Sequence, residues 1–273
     1  MDLIKLVQEK YHTLTKSEKK IADYLLQKKE AIKYSTISDI KKAVRVGDAT
    51  IIRFCQKLGF SGFSDLKIEI AKEDFSQSYE FSGEKKYYDQ VLAGLYEALK
   101  ATRHLLNEEH LEKAIRAITQ ANHIYIYGVG SSGTSGIQLQ NMFLRVGLHC
   151  RAITDPHYQA QSASLLNEHD VAIVFSLTGR TKDSYNSMKL ACDNGATTIA
   201  ITNYLSSPIA ELGDIVLQTS IEDFIDGGSL AGIISQLYIG DLLVRGYEKN
   251  NQIDSLQLRE KVLRSILEKR IDE

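Results

Sequence analysis

At 273 residues, with 43% hydrophobic and 25% charged, the chain can build one large or two ordinary domains with real cores. No apolar run approaches the roughly 18 residues needed to span a bilayer, and the opening MDLIKLVQEK is amphipathic and charged rather than a signal-peptide core, so a cytoplasmic protein without a membrane partner is expected. The net charge of −2 hides an asymmetry: residues 1–73 hold 15 Lys/Arg against 10 Asp/Glu, and the remainder holds 18 against 25.

A basic first quarter on an acidic body is what a polyanion-binding head predicts, although solvated lysine-rich helix faces give the same count. Cys55, Cys150 and Cys192 are scattered and odd in number. They fit free thiols in a reducing compartment better than a metal site or disulfides, and no metal or cofactor is expected.

The first segment reads as short helices. Leu3, Ile4, Val7 and Tyr11 share a helical face. Thr15-Lys-Ser-Glu18 is a capping-box pattern opening a helix with Ile21, Ala22, Leu25 and Leu26 inward. Thr36 caps a helix carrying Ile37, Ile40, Ala43 and Val44, with Asp39 three residues on. Arg45-Val-Gly47 is a tight turn, and a further helix from Ala49 to Leu58 is stopped by Gly59. A last short helix covers about Ser64–Lys72. Residues 37–58 fit helix–turn–helix geometry. Ile51, Phe54, Cys55 and Leu58 face inward on the second helix, with Asp48, Thr50, Arg53 and Lys57 outward. Thr50 and Arg53 are then placed for a major groove, and Lys41, Lys42 and Lys57 for backbone phosphates. A plain helical bundle used for dimerisation fits the same pattern.

The polar stretch Glu73–Lys86 reads as a linker, giving boundaries of 1–75 for the head, 76–86 for the linker and 87–273 for the body. Two amphipathic helices follow, one with Val91, Leu92, Leu95 and Leu99, the other with Leu111, Ile115 and Ile118. Strands are then expected at 123–127, 149–153, 171–175, 197–202 and 214–218, with helices such as 135–146 and 183–194 between them. Two further helices are expected near 229–247 and 254–270. Alternating strands and helices predict an αβα, doubly wound parallel five-stranded sheet behind an all-α head. Its ligand should sit at the carboxyl ends of the strands. Two hydroxyl-rich loops lie there: Gly128-Val-Gly130-Ser131-Ser132-Gly133 and Ser176-Leu-Thr178-Gly179-Arg180-Thr181. Hydroxyls, loop amides and helix N-termini suit a phosphate monoester.

The run Thr50-Ile-Ile-Arg53-Phe-Cys-Gln-Lys57-Leu-Gly-Phe60, with Leu14-Thr-Lys-Ser-Glu18 and Ser61-Gly-Phe63, resembles the N-terminal domain of RpiR-type transcriptional regulators. The two loops resemble the phosphosugar-binding motifs of the sugar isomerase (SIS) domain that follows it in that family. One departure is Gly47, where the family usually has an N-cap serine. Another is Thr178, where the second motif usually has serine. A third is the absence of arginine from Asp223 to Val244. The resemblance implies a phosphosugar whose phosphate is held by Ser176, Thr178, Thr181 and the amides of Gly179–Thr181. Gly130, Ser131 and Ser132 would line the opposite wall, with Arg180 and Glu222 nearby.

Three functions follow from these motifs. The first is a regulator of sugar or amino-sugar metabolism, with no catalytic residues, that binds double-stranded operator DNA as a homodimer or homotetramer and answers to a sugar phosphate. The second is a phosphosugar isomerase with an accessory helical head, its base drawn from Glu222, Asp223, His157 and His169. The third is a dinucleotide-sensing Rossmann-type repressor, since Gly128-x-Gly130-x-x-Gly133 also matches that fingerprint and Asp155 stands where a ribose-binding acid belongs.

Overall fold

The computed structural model describes residues 3–78, 86–220 and 230–267. The described residues fall into two compact units that divide in sequence at Gln90–Val91.

The first unit is helical. Helices α1 (Leu3–Lys10) and α2 (Lys16–Tyr34) are joined by a 3-10 turn, and α3 (Ile37–Val44), α4 (Asp48–Leu58) and α5 (Phe63–Ser78) follow. Two capping boxes set the starts of α2 and α3. The Thr15 hydroxyl accepts from the Glu18 amide while Glu18 accepts from the Thr15 amide, and Thr36 and Asp39 repeat the exchange. Each pair satisfies two amides that the first turn leaves without partners. The core gathers Leu3, Val7, Ile21, Leu25, Ile40, Ile51, Phe54 and Leu66. Ile4, placed on one face with Leu3 and Val7, and Ala43, among the apolar residues of α3, are exposed. Helix α5 continues to Ser78, three residues into the linker expected at 76–86; residues 79–85 lie outside the described residues.

The second unit begins within α6 (Tyr87–Leu105), followed by α7 (Glu108–Gln120) and then β1 (Ile124–Tyr127), α8 (Ser131–Leu144), β2 (Arg151–Ile153), α9 (Pro156–Ala163), β3 (Val171–Phe175), α10 (Lys182–Asp193), β4 (Thr197–Thr202), α11 (Pro208–Leu212) and β5 (Ile215–Gln218). Helices α12 (Leu230–Asn250) and α13 (Ser255–Leu267) close the described chain. All strand pairs are parallel, in the order β2-β1-β3-β4-β5. Side-chain alternation splits the core in two. Ile124, Ile126, Ile173, Phe175, Ile199 and Ile201 pack against α7, α8 and α12. Tyr127, Ala172, Val174 and Ala200 face α9, α10 and α11. Burial on both faces explains the unbroken apolar run of β3.

Helix α6 departs from expectation. Val91 and Leu92 are exposed, whereas Ala98 and Thr102 are buried; the Thr102 hydroxyl donates to the Ala98 carbonyl and accepts from the Ser220 amide at 3.0 Å. Helix α8 starts four residues earlier than read, at Ser131, which puts the first hydroxyl loop directly on a helix N-terminus.

Candidate functional site

In the first unit, α3 and α4 are joined by a turn that Arg45 enters with φ of 55° and Gly47 leaves as N-cap of α4. Ile51, Phe54, Cys55 and Leu58 are buried as read. The opposite face of α4 presents Asp48, Ala49, Ile52, Arg53, Gln56 and Lys57, with Thr50 half-buried. Arg53 donates its Nε–H to the Ala49 carbonyl, 3.1 Å away. Lys41 and Asp48 form an exposed pair at 3.2 Å across the turn, of a kind worth little in water and easily exchanged for a phosphate; Lys42 is also exposed.

Lys57, read as a phosphate contact, keeps its exposed position, but its ammonium is engaged within the head. Its ammonium lies 2.7 Å from Glu18 Oε2, tying the end of α4 to the start of α2. Burial pushes the Glu18 carboxyl up, but hydrogen bonds from Lys57 and Thr15 outweigh it and hold it below its ordinary value. A carboxylate depressed in this way contributes stability above its unfolded pKa and loses it as pH falls through the folded value. Lys57→Ala is therefore expected to destabilise the head by about 1–3 kcal/mol at neutral pH. The deficit relative to wild type should shrink below about pH 4, as Glu18 protonates in both proteins. Urea unfolding of the head at the two pH values checks this; an equal deficit at both would contradict the assigned ion pair.

In the second unit, β1 continues to β2 on one side of the sheet, and the chain then passes to β3 on the other. The carboxyl ends of β1 and β3 thus flank the topological switch point, the position where open α/β sheets bind ligands. The loop after β1 leads into α8, and the loop after β3 leads into α10. Their hydroxyls and glycines are held as follows.

Gly128 lies against the following helix turn, where an added Cβ would meet the Ser132 carbonyl at 2.7 Å. Gly130 is the N-cap of α8 and supplies no side-chain cap. Ser132 is buried and Ser131 half-buried. In the second loop the Ser176 hydroxyl donates to Thr181 Oγ1 at 3.4 Å, and the Arg180 amide donates to Thr178 Oγ1 at 3.3 Å. Gly179 has φ of 63° and its carbonyl accepts from the Ile209 amide at 3.1 Å. Arg180 is half-buried. Thr181 is the N-cap of α10, yet its hydroxyl does not cap the helix.

The lack of side-chain caps on α8 and α10 sets them apart from their neighbours. Asn107, Asp155 and Ser207 cap α7, α9 and α11 with side-chain oxygens. Only the two helices that start at the switch point leave their first amides without a side-chain acceptor among these five. Uncapped helix N-termini with hydroxyls around them are the chemistry that holds an anion without a buried cation.

Asp155 is engaged elsewhere: its Oδ1 accepts from the amides of His157 and Tyr158, so the acid the dinucleotide reading requires is a helix cap. His157 and His169 are exposed. Glu222 and Asp223 lie outside the described residues.

Two glutamines were missed by the motif reading. Gln159, fully buried, donates to the Gly128 and Ile153 carbonyls and accepts from the Ser187 hydroxyl, joining the first loop to α10. Gln236 of α12, also fully buried, donates to Ser132 Oγ at 3.1 Å.

The first unit has the order and capping of a helix–turn–helix head, and the second is a three-layer parallel sheet with two uncapped, hydroxyl-rich helix starts at its switch point. The family model of the rpiR-family helix-turn-helix domain matches residues 1–78, and that of the SIS domain matches residues 117–245. An uncharacterized HTH-type transcriptional regulator of Haemophilus influenzae is 34% identical over 96% of this chain and 95% of its own. The HTH-type transcriptional regulator RpiR of Escherichia coli K12 is 33% identical over 76% of this chain and 73% of its own. The solved structure of the Vibrio vulnificus NanR protein complexed with ManNAc-6P matches 99% of this chain and 100% of its own, with a TM-score of 0.81 at 23% identity, a likeness of fold. The chain belongs to the RpiR family of HTH-type transcriptional regulators and carries that family's SIS domain.

Proposed function

We propose that this regulator binds operator DNA through α3 and α4 and is controlled by a phosphosugar held between the two hydroxyl loops of its second unit. The observation that carries the ligand reading is the pair of uncapped helix N-termini at the switch point, ringed by Ser131, Ser132, Ser176, Thr178 and Thr181. A phosphate dianion satisfies their amides and hydroxyls together. The occurrence of ManNAc-6P in the NanR structure of the same fold supports this ligand class.

Thr50 and Arg53 would read base edges, and Lys41 and Lys42 would hold phosphates beside Asp48. The exposed Gln56 and Ile52 join them, since a glutamine amide suits adenine and an apolar group suits the thymine methyl. The head would occupy residues 1–75 and the linker 76–86, with the body from 87 to 273. One head covers one half-site, so two or four copies would act together. No helix among the described residues is long and apolar enough to cross a membrane, in keeping with a cytoplasmic site of action.

The reading is that of a sensor and not an enzyme. The isomerase alternative needs a base beside the cradle, and the two candidate histidines within the described residues are exposed. Aldose–ketose exchange at ordinary enzyme rates by the purified protein would reverse the choice.

The cradle is tested by Ser132→Ala, Ser176→Ala and Thr181→Ala. Each removes a hydrogen bond to a charged group and is expected to weaken sugar-phosphate binding by about 1.5–3 kcal/mol, leaving DNA affinity without effector unchanged. Calorimetry against a panel of sugar phosphates, the matching free sugars and NADH provides the comparison. Equal affinity for a sugar and its phosphate, or preference for NADH, would overturn the phosphosugar reading.

A further inference from the structure

Gln236 adds an observation that the phosphate cradle does not absorb. Its side chain is fully buried. Its Nε2–H donates to Ser132 Oγ at 3.1 Å, while its Oε1 is buried without a hydrogen-bond partner among the described residues. Both atoms sit on one carbon of a planar amide, so Oε1 lies no more than about 5.5 Å from Ser132 Oγ. Buried carbonyls are nearly always satisfied, and one left open beside a ligand cradle calls for a donor. The amide's orientation follows from the cradle. If Ser132 is to donate its hydroxyl proton to an anion, its lone pair is free to accept from Gln236, which leaves Oε1 as the open group. The reverse orientation would turn the Ser132 proton away from the anion.

We propose that Gln236 is a specificity-determining residue of the effector site with two tasks. Through Nε2 it holds Ser132 as a donor toward the phosphate. Through Oε1 it accepts from a hydroxyl or acylamino N–H of the sugar, so the site selects a phosphate ester bearing a donor close to the phosphate over phosphate alone. The proposal rests on the phosphosugar reading above. It also gives α12, which carries none of the loop motifs, a direct hold on the effector.

The test measures binding of three probes: inorganic phosphate, the tightest-binding member of a panel of hexose 6-phosphates and N-acetylhexosamine 6-phosphates, and the deoxy analogues of that member. Gln236→Met keeps the shape and loses both polar ends. It is expected to bind inorganic phosphate about threefold more weakly, through the lost hold on Ser132, to bind the sugar phosphate at least tenfold more weakly still, and to lose wild type's discrimination against one deoxy analogue. Gln236→Glu serves as the second variant should the first not fold. Its carboxylate accepts a hydrogen bond from the Ser132 hydroxyl and repels the dianion, so both phosphates should be lost at pH 8. Affinity relative to wild type should recover as the pH is lowered and the carboxyl protonates.

An unchanged ratio of sugar phosphate to inorganic phosphate in Gln236→Met overturns the proposal, as does equal loss of both probes with the fold intact. A pH-independent deficit in Gln236→Glu overturns it as well. If wild type binds no member of the panel and no inorganic phosphate, the phosphosugar reading itself falls.

Discussion

Gly179→Ala is expected to abolish sugar-phosphate binding and to lower the stability of the second unit by about 3 kcal/mol or more. Gly179 sits at φ of 63°, a conformation that costs a residue with a Cβ about 1–2 kcal/mol. Space is also lacking. A Cβ there would overlap the Ser207 side chain and come within 2.8 Å of Thr202 Oγ1. Ser207 cannot retreat freely, because its hydroxyl caps α11 through the Ala210 amide at 3.3 Å, and displacing that cap costs about another 1 kcal/mol. The carbonyl of Gly179 is fixed by Ile209, so the loop carrying Ser176, Thr178 and Thr181 would be forced away from its geometry. Thermal unfolding and calorimetry of the variant read both effects. Wild-type affinity and melting temperature would show that the loop tolerates a change that its backbone and surroundings forbid.

The second large effect belongs to the head. Arg53→Ala should weaken binding to a specific operator by about 1–3 kcal/mol, the value of a bidentate contact to a base edge. Arg53 stands on the exposed face of α4, one turn after Thr50, and its Nε–H donates to the Ala49 carbonyl; the guanidinium keeps further donors for a base. Lys41→Ala should instead weaken specific and random DNA alike and reduce the salt dependence by about one phosphate. An operator fragment selected from a random pool by the full chain, competed against random DNA at several salt concentrations, separates the two. Unchanged operator affinity in Arg53→Ala, with the fold intact, would exclude α4 as the reading helix.

The elements with a strong local signal were legible. The capping boxes at Thr15 and Thr36, the inward face of α4 and all five strands follow from patterns that tertiary context reinforces. Helices α9 and α11 did not, because α9 carries no apolar stripe and α11 has five residues. Each nevertheless opens on a cap followed by proline, Asp155-Pro156 and Ser207-Pro208, a start signal readable in the chain. The same cap accounts for Asp155, which spacing alone suggested for a ribose.

Lys57 shows a different limit. Its outward helical position is correct, but the partner that claims it, Glu18, lies 39 residues away and only the fold brings them together. Gln159 and Gln236 were invisible for the same reason, since each matters through contacts with distant loops. The hydroxyl loops could be read because their chemistry is local, whereas the absence of caps on α8 and α10 appears only once the hydrogen bonds are known.

On the proposed function, the sugar-phosphate site and the DNA-binding face belong to one switch. Binding at two linked sites is reciprocal, so an effector that alters operator affinity must have its own affinity altered by the same factor. Calorimetric titration of the full chain with its tightest-binding sugar phosphate, alone and with saturating selected operator DNA, measures this directly. Dissociation constants differing by about 5- to 150-fold, matched by an equal change in operator affinity when effector is saturating, are the expected result. Identical constants with and without DNA would contradict the account, leaving the second unit a binder of phosphosugars that does not govern the head.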